Sequence, residues 1–245
     1  MTTDYNQIAT AFGHTKGLPL KQFAERWTMF KILGDVRGKS VLDLACGSGD
    51  YLRELKERGA ARAVGVDISK KMIELAQAQE TQQPLGIEYH VGNVAELGRL
   101  GTFDIVTAVY LLVYAASEEE LTDMCRAIAA NLAPGGRCIA ALTYPDLTEQ
   151  HMAALASTGV KMEPNGPIEN GSTVTITVPT PDGTIQLLNY LWSKETYERA
   201  LRSSGFNTIR WHSVEISPAG LQLLGAEYWQ QFLAHPAIAI VEFEA

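Results

Sequence analysis

The residues with the clearest chemical potential are two carboxylates and two glycines. Asp43 stands near the end of the apolar run Ser40–Leu44, and the chain continues Leu-Ala-Cys-Gly47-Ser-Gly49. A glycine pair directly after a strand lets the backbone come close to a ligand. The helical pattern that follows, Tyr51–Arg58, offers unpaired N–H groups at its start. Asp43 is placed to reach into the crevice that such a turn makes. A second acid, Asp67, ends the apolar run Ala63–Asp67. It lies about 20 residues past the glycines, the spacing at which nucleotide-binding folds set a ribose-binding acid. Its carboxylate can accept from both ribose hydroxyls. The competing reading makes Asp67 or Ser69 the cap of a helix over Lys70–Glu80; Ser69 is assigned to that cap.

These residues need a frame. Ser40–Leu44 and Ala63–Asp67 read as the first two strands. Ile87–Val91 is the third, Thr102–Val109 the fourth and Arg137–Leu142 the fifth, after the turn Ala133-Pro-Gly-Gly136. Helical spacing fills the intervals, including Glu118–Leu132. The alternation β-α-β-α-β-α-β-α-β implies a parallel sheet. The expected class is α/β, a Rossmann-like, mostly parallel, seven-stranded sheet with helices on both faces.

Before the sheet, Tyr5–Phe12 is weakly helical, Gly13–Pro19 breaks the pattern, and Leu20–Leu33 resumes it with Phe23, Trp27, Phe30 and Leu33 on one stripe. This segment is either a helix packed on the sheet or a lid hinged at the break, where His14 and Lys16 lie. Beyond strand five, Thr143–Thr158 is partly helical. Ser172–Val178 and Thr184–Trp192 alternate at period two around Pro179-Thr-Pro-Asp-Gly183, a hairpin signal. A helix over Ser193–Ser203, a strand over Asn207–Ile216, a helix over Ala219–Leu233 and a last strand over Ala237–Glu244 complete the chain. We therefore expect a single domain over 1–245: a lid over 1–37, a ligand-binding core over 38–142, a crevice-covering insertion over 143–192, and the rest of the core over 193–245.

Composition narrows the partners. The chain of 245 residues is 46% hydrophobic, enough for a full core. Its net charge of −8 disfavours nucleic acid and anionic membrane surfaces. The three cysteines are scattered without a CxxC pair, so neither a disulfide framework nor a metal site is expected. With no signal-peptide pattern and no apolar run of roughly 20 residues, a soluble cytoplasmic protein is expected.

Taken together, the motifs resemble the class I, Rossmann-like S-adenosylmethionine-dependent methyltransferases. Val41-Leu-Asp-Leu-Ala-Cys-Gly-Ser-Gly49 is similar to their first motif and Val64-Gly-Val-Asp-Ile-Ser69, with Met72 a turn later, to their second. Asn93-Val94, Phe103-Asp-Ile-Val106 and Leu132-Ala-Pro-Gly-Gly-Arg137 match three further positions in order, over residues 38–142. The resemblance implies S-adenosylmethionine as cofactor and S-adenosylhomocysteine as product. It implies that Asp43 lies near the methionine amino group. Backbone at Ala45, Gly47 and Gly49 would pass the methionine and ribose, and Asp67 would hold the ribose. Ile68 and Met72 would pack on the adenine, Asn93 and Val94 would meet its edge, and Tyr110 would lie near the methyl group. Two positions depart from the pattern. Ala45 replaces the usual first glycine, a mild change, and Asn93 replaces an aspartate. An asparagine amide oxygen can still accept from the adenine amino group.

Methyl transfer from a sulfonium is an in-line displacement that depends on placement in a dry site. An amine or phenol acceptor needs a base at some stage. The candidates are His14, Tyr114, Tyr144 and His151, with Tyr110 beside the reacting group; each can equally be a surface or packing residue. Trp27, Tyr110 and Tyr114 form either an aromatic cage for a planar or cationic acceptor or simple core. A small-molecule acceptor, through N or O rather than C, is expected. The flanks Tyr5-Asn-Gln-Ile-Ala and Tyr228-Trp-Gln-Gln-Phe232 resemble bacterial methyltransferases of secondary metabolism. The rivals are an NAD-dependent dehydrogenase, a nucleic-acid methyltransferase and a non-catalytic cofactor binder. NAD folds want a third glycine where this chain has Leu52. The loop Val109-Tyr-Leu-Leu112 lacks the Asn/Asp-Pro-Pro-aromatic pattern common in enzymes that methylate base amino groups.

Overall fold

A strand with no polar alternation has to be covered on both faces, and Ser40–Leu44 lies inside the sheet with a parallel neighbour on each side. The computed structural model describes residues 3–244. In chain order its elements are α1 (Tyr5–Gly13), α2 (Arg26–Leu33), β1 (Ser40–Leu44), α3 (Asp50–Glu57), β2 (Arg62–Asp67), α4 (Lys70–Gln82), β3 (Ile87–Val91), β4 (Phe103–Val109) and α5 (Glu118–Asn131). There follow β5 (Leu132–Thr143), α6 (Glu149–Ala156), β6 (Lys161–Pro164), β7 (Thr173–Thr180), β8 (Gly183–Tyr190), α7 (Lys194–Ser203), β9 (Thr208–His212), α8 (Pro218–Ala234) and β10 (Ile238–Glu244).

The main sheet has seven strands in the order β3-β2-β1-β4-β5-β10-β9. The first five are parallel, and β10 runs antiparallel to both β5 and β9. The order reverses between β1 and β4, the switch point where open α/β sheets bind ligands. Alternate residues of β1 serve the two faces. Leu42 and Leu44 pack with α5 and α7, and Val41 packs with α2, α3 and α4.

The class expected from the sequence is therefore observed, with local corrections. Leu20–Leu33 is not one regular helix. A π-helical turn over Leu20–Glu25 leads into α2. A π turn is wider than an α turn, so the inward face moves to Ala24, Glu25, Thr28 and Met29, and Trp27 is 39% exposed. The Ala133–Gly136 turn is instead a bulge inside β5, where the register jumps from Phe103↔Leu132 to Ile105↔Arg137. The hairpin forms as β7–β8, and a third strand, β6, joins it to make a separate sheet in the order β6-β7-β8. Lys161-Met-Glu-Pro164 is too short for its alternation to be read in advance. A third apolar cluster joins this small sheet to α6, α8 and the π-helical turn. No helix of the described residues is long and apolar enough to cross a membrane.

Candidate active site

One cavity of about 350 Å³ opens at the switch point. Its floor is built by the turn after β1. Gly47 and Gly49 both have positive φ, +54° and +85°. At Gly49 a side chain is also excluded by space, since a Cβ there would meet the Tyr89 ring, with Cζ at 2.8 Å. Ala45 shares the left-handed conformation, φ +64°. For an L-residue with a Cβ that costs roughly 1–2 kcal/mol, so replacing the usual glycine is less mild than sequence suggests.

The two acids are held differently. Asp43 and Thr107 are register partners on β1 and β4, and Thr107 Oγ1 donates to Asp43 Oδ1 at 2.6 Å. Burial pushes the Asp43 carboxyl up to about 7, against the Thr107 hydrogen bond, and the acids Asp67 and Asp50 add to the rise. Asp67 accepts from the Gly47 N–H through Oδ2 and from the Ser69 N–H through Oδ1, both at 2.8 Å. Burial raises its carboxyl above the ordinary carboxylate range, and these two bonds oppose the rise without cancelling it. Asp67 thus ties the glycine turn to the head of α4. The cap itself is Ser69, whose Oγ accepts from Met72 N at 3.2 Å.

Of the remaining expected cofactor residues, Ile68, Met72, Asn93 and Val94 also line the cavity, whereas Gly49 does not: it is buried against Tyr89 and serves the turn's shape. Met72 and Val94 are buried, and Ile68 is exposed at its rim. Asn93 is partly committed: its Oδ1 accepts from Ala95 N at 3.2 Å and its Nδ2 donates to Glu96.

The N-terminal segment covers the cavity. Asn6 Oδ1 accepts from Ser69 Oγ and Lys71 N, docking α1 on the head of α4. Tyr5 and Tyr114 share a hydrogen bond of 2.6 Å between their hydroxyls. Lys16 reaches Asp50 at 2.5 Å and Ser48 at 3.0 Å, strapping the cover to the glycine turn. Burial raises the Tyr5 phenol and lifts that of Tyr114 to about 12.

Of the expected base candidates, Tyr110 and Tyr114 stand in the cavity wall, whereas His14, Tyr144 and His151 are not brought to it. His14 is exposed on the 3-10 turn after α1, where Thr15 takes the inward position. His151 stacks on Tyr144 with centroids 4.6 Å apart, and its Nδ1 accepts from Thr148 N at the start of α6. Trp27 lies outside as well, so the three-ring cage does not assemble.

Sequence reasoning missed Glu25. It is 3% exposed, faces the cavity, and accepts from Tyr110 Oη at 2.6 Å and Tyr51 Oη at 3.2 Å. Lys21, one turn earlier, lines the same wall, and burial lowers its ammonium. Both belong to the π-helical turn. With α-helical spacing they look like solvent-facing charges, and the sequence carries no signal to the contrary.

Among the described residues no group of His, Cys, Asp and Glu could hold a metal ion. The arrangement offers acids, glycine backbone and phenols to an uncharged or cationic ligand. The other wall of the cavity is apolar, built by α6 and the β6-β7-β8 sheet through Leu155, Met162, Ile176, Val178 and Leu187.

Comparison with known proteins places this geometry. Residues 41–136 match the family model described as a methyltransferase domain. The chain is 30% identical over 181 residues to N-demethylindolmycin N-methyltransferase of Streptomyces griseus, covering 73% of this chain and 74% of that protein. It is 34% identical over 113 residues to the demethylmenaquinone methyltransferase of Lactococcus lactis, 44% of either protein. Among solved structures, the CcbJ methyltransferase of Streptomyces caelestis superposes with a TM-score of 0.71 at 17% identity, covering 100% of this chain and 98% of that one. An S-adenosylmethionine-dependent methyltransferase of Mesorhizobium loti gives 0.66 at 21% identity, over 94% of this chain and all of the other. At such identities the structures speak for the fold, and the Streptomyces griseus relative, aligned over most of both chains, speaks for the family. With its donor S-adenosylmethionine and its product S-adenosylhomocysteine, this chain belongs to the class I, Rossmann-like S-adenosylmethionine-dependent methyltransferases.

Proposed function

We propose that the enzyme methylates a small molecule at nitrogen or oxygen, inside the covered cavity. One observation carries the reading. Asp67 and Gly47 at one end, and Ile176 and Leu187 at the other, wall the same space of about 350 Å³. That is the size of a small-molecule site. A nucleic-acid strand asks for an open basic groove, and this chain carries net charge −8. The Streptomyces griseus relative is named for an N-acceptor, which supports nitrogen; the place in bacterial secondary metabolism rests on the flanking resemblance alone. In this reading residues 1–37 are the cover, 38–142 the donor half, 143–192 the acceptor cover, and 193–245 the completion of the core.

The residues present fit the donor. Gly47 leaves open space where a Cβ would stand, and the acids retain acceptor capacity beyond their present bonds. Asp67 would hold the ribose hydroxyls and Asp43 the methionine ammonium. Ile68, Met72 and Val94 would pack on the adenine, with Asn93 at its edge. The bound cofactor supplies a methyl group made electrophilic by the sulfonium. The chain's own work is to exclude water, orient the acceptor's lone pair and hold Tyr110 beside it. Because the Tyr110 proton is committed to Glu25, its oxygen is free to accept. The test is S-adenosylhomocysteine release with a panel of small amines and phenols, against RNA and DNA. Turnover with an amine or phenol is the expected result, and turnover with nucleic acid alone overturns the proposal.

A further inference from the structure

Strands expose alternate residues to one face. The β6-β7-β8 sheet pairs Met162 with Ile176, Ile176 with Leu187, and Val174 with Asn189. The cavity-facing side is therefore a row of Met162, Ile176, Val178 and Leu187, interrupted by one amide, Asn189. Asn189 lines the cavity and is 2% exposed. Its Nδ2 donates to Thr143 Oγ1, at the end of β5, across 2.9 Å. That bond anchors the amide nitrogen on β5. Its Oδ1 is buried and has no partner. A buried carbonyl oxygen left unpaired costs about 1–3 kcal/mol, and native folds rarely retain one without a use.

We infer that Asn189 is the acceptor-binding anchor: its Oδ1 takes a hydrogen bond from a single N–H or O–H donor on an otherwise apolar acceptor. The inference rests on the small-molecule reading above. It adds a chemical class to that reading: a largely apolar body carrying one hydrogen-bond donor. Thr143 is the positioning residue, since its hydroxyl holds the amide nitrogen. Thr143 lines the cavity too, so the pair forms one polar point in an apolar wall. Such a point rejects ligands that cannot pair with it more sharply than apolar contacts can.

The test measures binding to the S-adenosylhomocysteine complex, so it does not depend on turnover. Matched probes differ only in the donor: 2-naphthol against 2-methoxynaphthalene, N-methylaniline against N,N-dimethylaniline, and indole against 1-methylindole. The wild-type protein is expected to favour the donor member of at least one pair by about fivefold or more, the ratio of one neutral hydrogen bond. Asn189→Leu is expected to cut that ratio below about twofold, and Thr143→Val, which releases the amide, to reduce it in the same direction. S-adenosylhomocysteine affinity retained in both variants reports that they fold and separates this inference from a failure of the donor site. Equal binding of both members of every pair overturns the inference, as does a preference that survives Asn189→Leu or an absence of binding by all six probes.

Discussion

The phenol of Tyr110 donates to Glu25 Oε2 across 2.6 Å, joining the end of β4 to the π-helical turn of the N-terminal cover. Tyr110 stands at φ +57°, a conformation that costs a side-chain-bearing residue energy and that recurs at functional sites. Burial raises its phenol further, and the Glu25 charge adds to that, so the proton stays on Tyr110. The carboxylate fixes where the phenol points, and the tyrosine in turn holds the cover shut. The two side chains should act as one unit. Glu25→Gln and Tyr110→Phe are each expected to lower turnover roughly ten- to hundredfold, the range for losing a charge-assisted hydrogen bond. The double variant should be no slower than the worse single one. Steady-state S-adenosylhomocysteine release measures this; multiplicative losses would show that the pair does not work together.

Asp67 carries a second expectation. Its carboxylate already fixes the Gly47 and Ser69 amides, and the ribose would add further charge-assisted bonds. Asp67→Ala should weaken S-adenosylmethionine binding tenfold or more, about 1.4 kcal/mol and above. Calorimetry that returned unchanged affinity would remove Asp67 from the ribose site.

Asp43 makes the unliganded enzyme sensitive to pH. Its folded-state carboxyl titrates at about 7, above the unfolded value near 3.9. Between those values the folded chain holds a proton that the unfolded chain has released. The contribution is complete below the unfolded value and is lost as pH rises through the folded one. Stability should therefore fall between about pH 4 and 7, with a slope of up to about 1.4 kcal/mol per pH unit from one proton. The curve for Asp43→Asn should be flatter over that range. Urea unfolding at several pH values, taken as the difference between the two proteins, reads this directly. Parallel curves would mean that Asp43 is ionised in the folded state.

The donor half was legible because its signals are local. A glycine at positive φ, as at Gly49, and an acid closing a strand, as at Asp67, are written at single positions and read without the rest of the fold. The cover and the acceptor wall depend on distant partners. Glu25 becomes a buried hydrogen-bond acceptor only because a π-helical turn rotates it inward and because Tyr51 and Tyr110, far along the chain, arrive beside it. His14 and His151 attracted attention by residue type, yet His14 is turned outward and His151 is engaged at the head of α6. Asn189 gave no warning, because one amide in an alternating strand looks like its solvent-facing neighbours until the small sheet is seen folded against the cavity.

Leu52 and Gly65 invert the packing of dinucleotide-binding folds, and that inversion can be tested. There a third glycine on the helix lets helix and strand approach closely. Here the helix carries Leu52 and the strand supplies the gap. A Cβ on Gly65 would stand 2.7 Å from Leu52 Cδ1, 2.8 Å from Cys46 Sγ and 2.9 Å from Tyr89 Cδ1. Leu52 is wholly buried in the cluster under α3, so it cannot swing into solvent to make room. Gly65→Ala should destabilise the protein by about 1–3 kcal/mol, the usual range for overpacking. Leu52→Ala should cost about 2–5 kcal/mol through the cavity it leaves. Combined, the two should cost clearly less than their sum, because the new methyl enters the space that the leucine vacates. Urea midpoints of the four proteins close the cycle. Additive losses would mean that the strand glycine serves some purpose other than admitting Leu52, and that the helix is held against the sheet by different contacts.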